Sequence, residues 1–324
     1  MNDFDEVVDR RNTASEKWDK YRGRDIIPMW VADMDFRSPP VVLEALHRRT
    51  EHGVFGYTGA SPELNDAVLQ TLERDYGWRI DPQWIVWLPG LVTGLNVTCR
   101  AVGSEGDEVL TLVPVYPPFL SAPRYSRRGV VRVRLHEASN CWSIDFERLA
   151  AAVTPKTRIF MLCNPHNPVG RVFERHELER LAELCLSRDM VICADEIHCG
   201  LVLDAGKRHI PIATLSPEVE QHSITLMAPS KTFNLAGLGC SFAIIPSEVL
   251  RRRFLEIKAG IVPMVNPYGY LAARTAYAHG EPWRRELVAY LRRNRDLLAA
   301  SLPQMAGGLS MAPVEGTYLA WIDL

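Results

Sequence analysis

No stretch of the 324 residues stays apolar for long enough to span a bilayer, and the opening Met1-Asn-Asp-Phe-Asp-Glu6 is acidic rather than a secretory signal. A membrane partner is therefore not expected. A basic excess is missing too. The 37 Lys and Arg residues face 39 Asp and Glu, leaving a net charge of −2. With no long-range positive field, nucleic acid is not an expected partner. Cysteine is sparse and odd in number, with seven residues mostly inside apolar runs. That pattern reads as the buried, reduced thiols of a cytoplasmic protein, not as a disulfide framework. Cys193, His198 and Cys199 lack the paired spacing of a zinc site, so no metal is expected. Repeats, low-complexity tracts and flexible linkers are also missing. What is left is an ordinary globular composition in a chain long enough for a large core and for two structural units.

What is present is a rhythm. Residues 1 to 40 show weak periodicity and read as an extended arm ending in a turn at Pro39-Pro40. Val41 to His52 has a helical apolar pattern closed by Gly53, and the glycine-rich stretch 53–60 reads as a loop presenting Phe55 and Tyr57. From Ser61, which caps a helix with proline in its first turn, short apolar runs alternate with helical ones. Strands are expected at 84–88, 108–113, 130–135, 158–163, 190–194, 224–227 and 242–245. Helices are expected at 91–101, 145–153, 174–187, 247–259, 267–278 and 283–302, with strand-like pieces within 309–323. This alternation predicts an α/β fold with a mostly parallel sheet covered on both faces. Ligands of such sheets gather beyond the carboxyl ends of the strands, where the polar loops 89–94, 114–119, 164–170, 195–198 and 228–231 fall.

Those loops carry residues whose chemistry converges. Lys231 lies between two runs read as core strands. Such a lysine is costly to bury as a charge, although taken alone it is more often one that snorkels to water. Covalent use of its amine, as a Schiff base with a carbonyl compound, would remove the charge and give it a task. Chemistry at an amino acid's α-carbon also needs an electron sink. Pyridoxal phosphate supplies one when a carboxylate keeps its ring nitrogen protonated. Asp195, directly after a buried run, suits that role, and a helix cap or loop ion pair is the ordinary alternative. Asn167 could donate to the ring oxygen or be a turn residue. The turn at Gly90 and Leu91 offers a helix start to a phosphate, and Tyr116 could stack on a flat ring or simply pack.

Asn167-Pro-Val-Gly170, Asp195-Glu-Ile-His198 and Ser230-Lys-Thr-Phe-Asn234, in that order and spacing, resemble the fold-type I pyridoxal-phosphate superfamily, the aspartate aminotransferase-like enzymes. More narrowly, Asp33-Met-Asp-Phe36, Gly53-Val-Phe-Gly-Tyr57, Cys163-Asn-Pro-His-Asn-Pro168 and Gly316-Thr-Tyr-Leu-Ala-Trp321 resemble the cystathionine β-lyase (C–S lyase) branch, often labelled class II aminotransferase. The resemblance implies a large cofactor-binding domain at 46–258. Residues 1–45 would form an N-terminal arm and part of a smaller α+β domain, and 259–324 the interdomain helix and the start of that domain's C-terminal part. It implies that Lys231 forms the Schiff base, then removes the α-proton and protonates the leaving thiolate. Asp195 would hold the ring nitrogen and Asn167 the ring oxygen, with His198 beside it where many relatives carry a tyrosine. Tyr116 would stack on the ring, Gly90, Leu91 and Ser230 would cup the phosphate, and Tyr57 would reach the phosphate of a neighbouring subunit in a homodimer.

Two departures bear on the reaction. Aminotransferases of the superfamily usually carry an arginine shortly after the lysine, where this chain has Gly239-Cys240, as the lyase branch also lacks it. The family also continues past a segment like Tyr318–Asp323 to complete the small domain and supply an arginine for the substrate carboxylate. Here the smaller domain is expected to be incomplete at Leu324. The expected function is α,β-elimination from cystathionine or a related S-substituted cysteine to a thiol, pyruvate and ammonia. Its competitors are an aminotransferase or specialised enzyme acting on another cysteine-derived conjugate, and a weakly catalytic binding or regulatory protein.

Overall fold

The computed structural model describes residues 2–138, 141–305 and 308–323. Met1 and Leu324, the outer limits of the expected segments, lie outside the described residues. Among those described, seven strands form one sheet: β1 (Ile85–Leu88), β2 (Glu108–Val113), β3 (Gly129–Arg134), β4 (Thr157–Cys163), β5 (Val191–Asp195), β6 (Ser223–Met227) and β7 (Ser241–Ile244). Their order across the sheet is β1-β7-β6-β5-β4-β2-β3.

Strands β2 to β6 pair in parallel, β7 is antiparallel to β6, and β1 is antiparallel to β7. Of the seven, β7 alone is thus reversed. Its reversal follows from the connection. The chain leaves β6 at Met227 and re-enters at Ser241 without a crossover to the far end of the sheet, which a parallel neighbour would require. The whole segment 228–240 therefore stays at the carboxyl end of β6, beside the ends of β1, β2, β4 and β5.

Period-two alternation builds the two cores. From β4, Ile159, Met161 and Cys163 pack on one face with Leu91, Leu95, Phe119 and Phe254 of the covering helices. Phe160 and Leu162 pack on the other, with Leu149, Leu178 and Leu181. A further cluster joins Phe4, Met34 and Val42 of the arm to Ala272, Trp283, Leu287 and Leu291, and so ties the chain's beginning to its late helices.

Helix ends follow local chemistry. Ser61 accepts from the amide of Leu64 at the start of Pro62–Tyr76, and Gly53 closes Pro40–His52 in the left-handed region. Three features depart from expectation. Pro118–Tyr125 is a helix that its proline content conceals, because Pro118 occupies the first position and buried Phe119 and Ala122 hold it to the core. Trp84 belongs to a 3-10 turn before β1. Within 309–323, the short pair Ser310–Met311 and Ile322–Asp323 is extended, while Thr317 takes φ +70° and interrupts the strand pattern.

Backbone crowding fixes the underside of the loop cluster. A Cβ on Gly239 (φ +58°) would meet the carbonyl of Pro89 at 3.1 Å, and one on Gly269 would meet the carbonyl of Leu238 at 2.6 Å. Helix Pro267–His279 is thus pressed against the segment that follows Lys231. Gly269→Ala is expected to destabilise the protein by roughly 1–3 kcal/mol, read from chemical denaturation, because the obstacle is backbone and cannot rotate away.

Candidate active site

Gly90, Leu91, Tyr116, Asn167, Asp195, His198, Ser230 and Lys231 line one cavity of about 310 Å³ at the carboxyl ends of the strands. Tyr57 does not. It is fully exposed on its loop, where Phe55 stacks on Tyr268 at 5.7 Å. Larger clefts lie along the N-terminal arm (about 600 Å³) and beside His209 (about 780 Å³), but neither joins a depressed amine to a buried carboxylate. Chemistry, not volume, singles out the smaller one.

Asp195 ends β5 and is 5% exposed. Burial pushes its carboxyl up to about 7, against the amide of Ile197, which donates to Oδ1 at 3.1 Å, and the charge of Lys231. Burial likewise lowers the Lys231 amine below its ordinary value, against the charges of Asp33 and Asp195. Its Nζ donates to the carbonyl of Ala32 at 2.5 Å. Acid and base are thus drawn toward neutrality by the same loss of water, and each would regain its charge beside a suitable partner.

His198 is fully buried, and neither ring nitrogen has a hydrogen-bond partner among the described residues. Burial pushes it down to about 3, so it is a neutral imidazole offering one donor and one acceptor. Its ring meets that of Tyr318 edge-on at 5.8 Å. An unpartnered polar ring lining a cavity marks a place for a polar ligand. Tyr116 is 40% exposed, its hydroxyl raised by burial and by Asp195. Gly90 precedes the eleven-residue helix Leu91–Ala101, whose first amides lack intrahelical acceptors and face the same end of the sheet.

Several contributors escaped the sequence reading. His166 contacts the carbonyls of Cys163 (3.1 Å) and Pro114 (2.8 Å) through its two ring nitrogens, tying the loop that carries Asn167 to the one that carries Tyr116. Its position between two Asn-Pro pairs was the available signal. Cys163 lines the cavity, and its Sγ accepts from the amide of Asn167 at 3.4 Å. Val31 and Ala32 bring the arm into the wall, which nothing in their residue types announces.

The sequence profile of aminotransferase class I and II matches residues 24–324. The chain is similar to cystathionine beta-lyase PatB of Bacillus subtilis (strain 168), with 39% identity over 99% of this chain and 84% of PatB. Among solved structures it is similar to OvoB, with 43% identity and a TM-score of 0.96 over 99% of this chain and 84% of that one. It is also similar to cystalysin from Treponema denticola, whose structure contains pyridoxal 5'-phosphate. That match has 31% identity and a TM-score of 0.96 over 100% of this chain and 84% of that one.

The raised carboxyl has a consequence for stability. A carboxyl whose folded value exceeds its unfolded one contributes fully below the unfolded value and loses that contribution as pH climbs through the folded one. For Asp195 the loss runs from near 4 to about 7. In ligand-free protein, Asp195→Asn should therefore gain roughly 1–3 kcal/mol over wild type on going from pH 5 to pH 8. Thermal melts across that range would show the gap opening, and parallel curves would contradict the assignment.

Proposed function

The chain belongs to the class I and II aminotransferase family, in the branch of its cystathionine β-lyase relatives, and we propose that it is a pyridoxal-phosphate-dependent carbon–sulfur β-lyase. Its substrate would be cystathionine or a related S-substituted L-cysteine, cleaved to a thiol, pyruvate and ammonia. The observation that carries this reading is the meeting of Lys231 and Asp195, each displaced by burial, in one cavity at a helix N-terminus.

The residues present fit the cofactor. A cationic ring nitrogen would restore the charge of Asp195, and the unpartnered imidazole of His198 suits a ring oxygen shared with Asn167. Tyr116 would lie on the ring, Gly90, Leu91 and Ser230 would take the phosphate, and Nζ of Lys231 would hold the aldehyde carbon. Bound there, the cofactor supplies a sink for the electron pair left when the substrate's α-proton departs.

The chain's own part is proton handling and orientation. Nζ of Lys231, neutral more readily than an exposed lysine, takes the proton from Cα and returns one to the sulfur as the Cβ–S bond breaks. With the cavity filled, water would be displaced from it and each charge contact within would strengthen. Gly239 supports elimination over amino transfer. It holds the position at which aminotransferases usually have arginine, and its left-handed backbone against Pro89 leaves no unstrained place for a side chain.

The rest of the proposal concerns assembly and setting. Tyr57, fully exposed beside the exposed Phe55, would reach the phosphate in a partner subunit of a homodimer. The shared cluster of arm and late helices supports grouping 1–45 with 259–324 around a large domain of 46–258. All seven cysteines are free thiols, which supports a reducing, cytoplasmic setting. No helix among the described residues is long and apolar enough to cross a membrane.

Purified protein supplied with pyridoxal phosphate should release pyruvate from cystathionine, and Lys231→Ala should lower that rate by ~10³-fold or more and abolish the yellow absorbance. Amino transfer to a keto acid with no pyruvate would replace the lyase reading, and protein that never takes up the cofactor would remove it. If the sites are shared, mixing Tyr57→Ala with Lys231→Ala subunits should restore about one quarter of wild-type activity through mixed dimers that each carry one intact site.

A further inference from the structure

The N-terminal arm reaches the cavity as the irregular segment 31–36, whose Val31 and Ala32 form part of the wall. Backbone without a ladder must find other partners, and here side chains supply them. The carbonyl of Ala32 accepts from Nζ of Lys231 at 2.5 Å and from the hydroxyl of Tyr318 at 3.1 Å. That of Asp33 accepts from Lys17 at 2.8 Å. Nδ2 of Asn234 donates to Met34 O at 3.2 Å and Phe36 O at 2.6 Å, and the carbonyl of Asn234 accepts from the hydroxyl of Ser38 at 2.9 Å. From the other side Arg10 donates to Met34 O at 3.1 Å and pairs with Asp33 at 2.6 Å and Asp35 at 2.7 Å.

Two of these grips come from one turn. Lys231 and Asn234 lie in Pro229–Leu235, closed by hydrogen bonds that the amide of Phe233 donates to Pro229 O and the amide of Leu235 to Ser230 O, both 2.9 Å. Asn234 sits at φ +56°, in the left-handed region that asparagine enters more readily than most residues. The segment that carries the amine therefore also fixes the carbonyl on which that amine rests.

We propose that Asn234 is a positioning residue for the reaction: it clasps the arm to the lysine turn and so sets where the Ala32 carbonyl, which receives the Lys231 amine whenever that amine is free, stands at the cavity. This rests on the assignment of Lys231 as the proton-transferring base. An amine resting on a fixed carbonyl stays aimed into the cavity, whereas on a loosened arm it samples many positions. Misplacing a reacting group by ~1 Å costs on the order of 10²-fold in rate. The loss falls on turnover, because Asn234 does not itself line the cavity.

Asn234→Gly separates clasp from strain, since glycine keeps the left-handed backbone and deletes both side-chain bonds. Asn234→Asp keeps the shape but sets a carboxylate oxygen against two carbonyls. In the holoenzyme, both variants should speed hydrogen exchange at residues 31–36 by ~10-fold or more. Cofactor absorbance should stay stoichiometric and kcat should fall ~10- to 100-fold, with KM within about threefold of wild type. Arg10→Gln loosens the same arm from its other side and should give the same split, which keeps the test open if the Asn234 variants do not fold. Unaltered arm exchange in Asn234→Gly, or a loosened arm with undiminished kcat in any of the three, would overturn the proposal. A wild type that releases no pyruvate would instead overturn the lyase assignment, and the exchange comparison would still read the clasp.

Discussion

Loss of water around Asp195 and Lys231 is the constraint on which the rest depends. A carboxylate and an amine in water would stand at ordinary values and ignore one another. At the ends of β5 and β6, under the arm, burial draws the carboxyl up to about 7 and the amine down. The apolar sheet and its covering helices create that desolvation, so the hydrophobic core and the chemistry are one structure seen from two sides. A ligand with a cationic ring nitrogen and a carbonyl carbon would relieve both groups at once, which is why the site suits pyridoxal phosphate.

Holding the pair requires several irregular segments at one edge, and irregular backbone has no ladder to satisfy it. Side chains take over. His166 joins two loops, Cys163 receives the amide of Asn167, Asn234 and Arg10 hold the arm, and Tyr318 shares the Ala32 carbonyl with the lysine. Away from the cavity, Arg171 is buried between Glu177 and Glu315 and fastens the late segment 314–317 to the loop after β4. Such a buried triad is better read as setting register than as adding stability, because desolvation offsets much of its attraction.

The close approach of Pro89, Gly239 and Gly269 has a similar character. At both glycines a Cβ would press on a backbone carbonyl, and this close approach brings the helix start at Gly90 level with the lysine turn. The reversal of β7 serves the same end, since it keeps segment 228–240 on one side of the sheet. Packing thus decides the relative height of the elements, and the height decides which side chains share the cavity.

Most of the architecture was legible in the order of residues. Apolar runs of strand length, helical periodicity and caps such as Ser61 and Gly53 are local signals, and they placed the strands and long helices to within a few residues. Lys231, Asp195, Asn167, Tyr116 and the Gly90 turn each have an ordinary alternative alone, and were legible only together, as a constellation whose order resembles a known family. The helix Pro118–Tyr125, the reversed β7 and the irregular Thr317 were not legible, since long-range packing outweighed local preference at each. Nor could residue types reveal that Ala32 would receive the lysine, that His198 would lack a hydrogen-bond partner among the described residues, or that Asn234 would clasp an arm two hundred residues earlier in the chain. The sequence by itself determined which chemical groups stand at the ends of which strands, because those choices are made within a few residues. Only the tertiary structure decided their distances, their hydration and hence their charge, because these depend on what the rest of the chain lays over them.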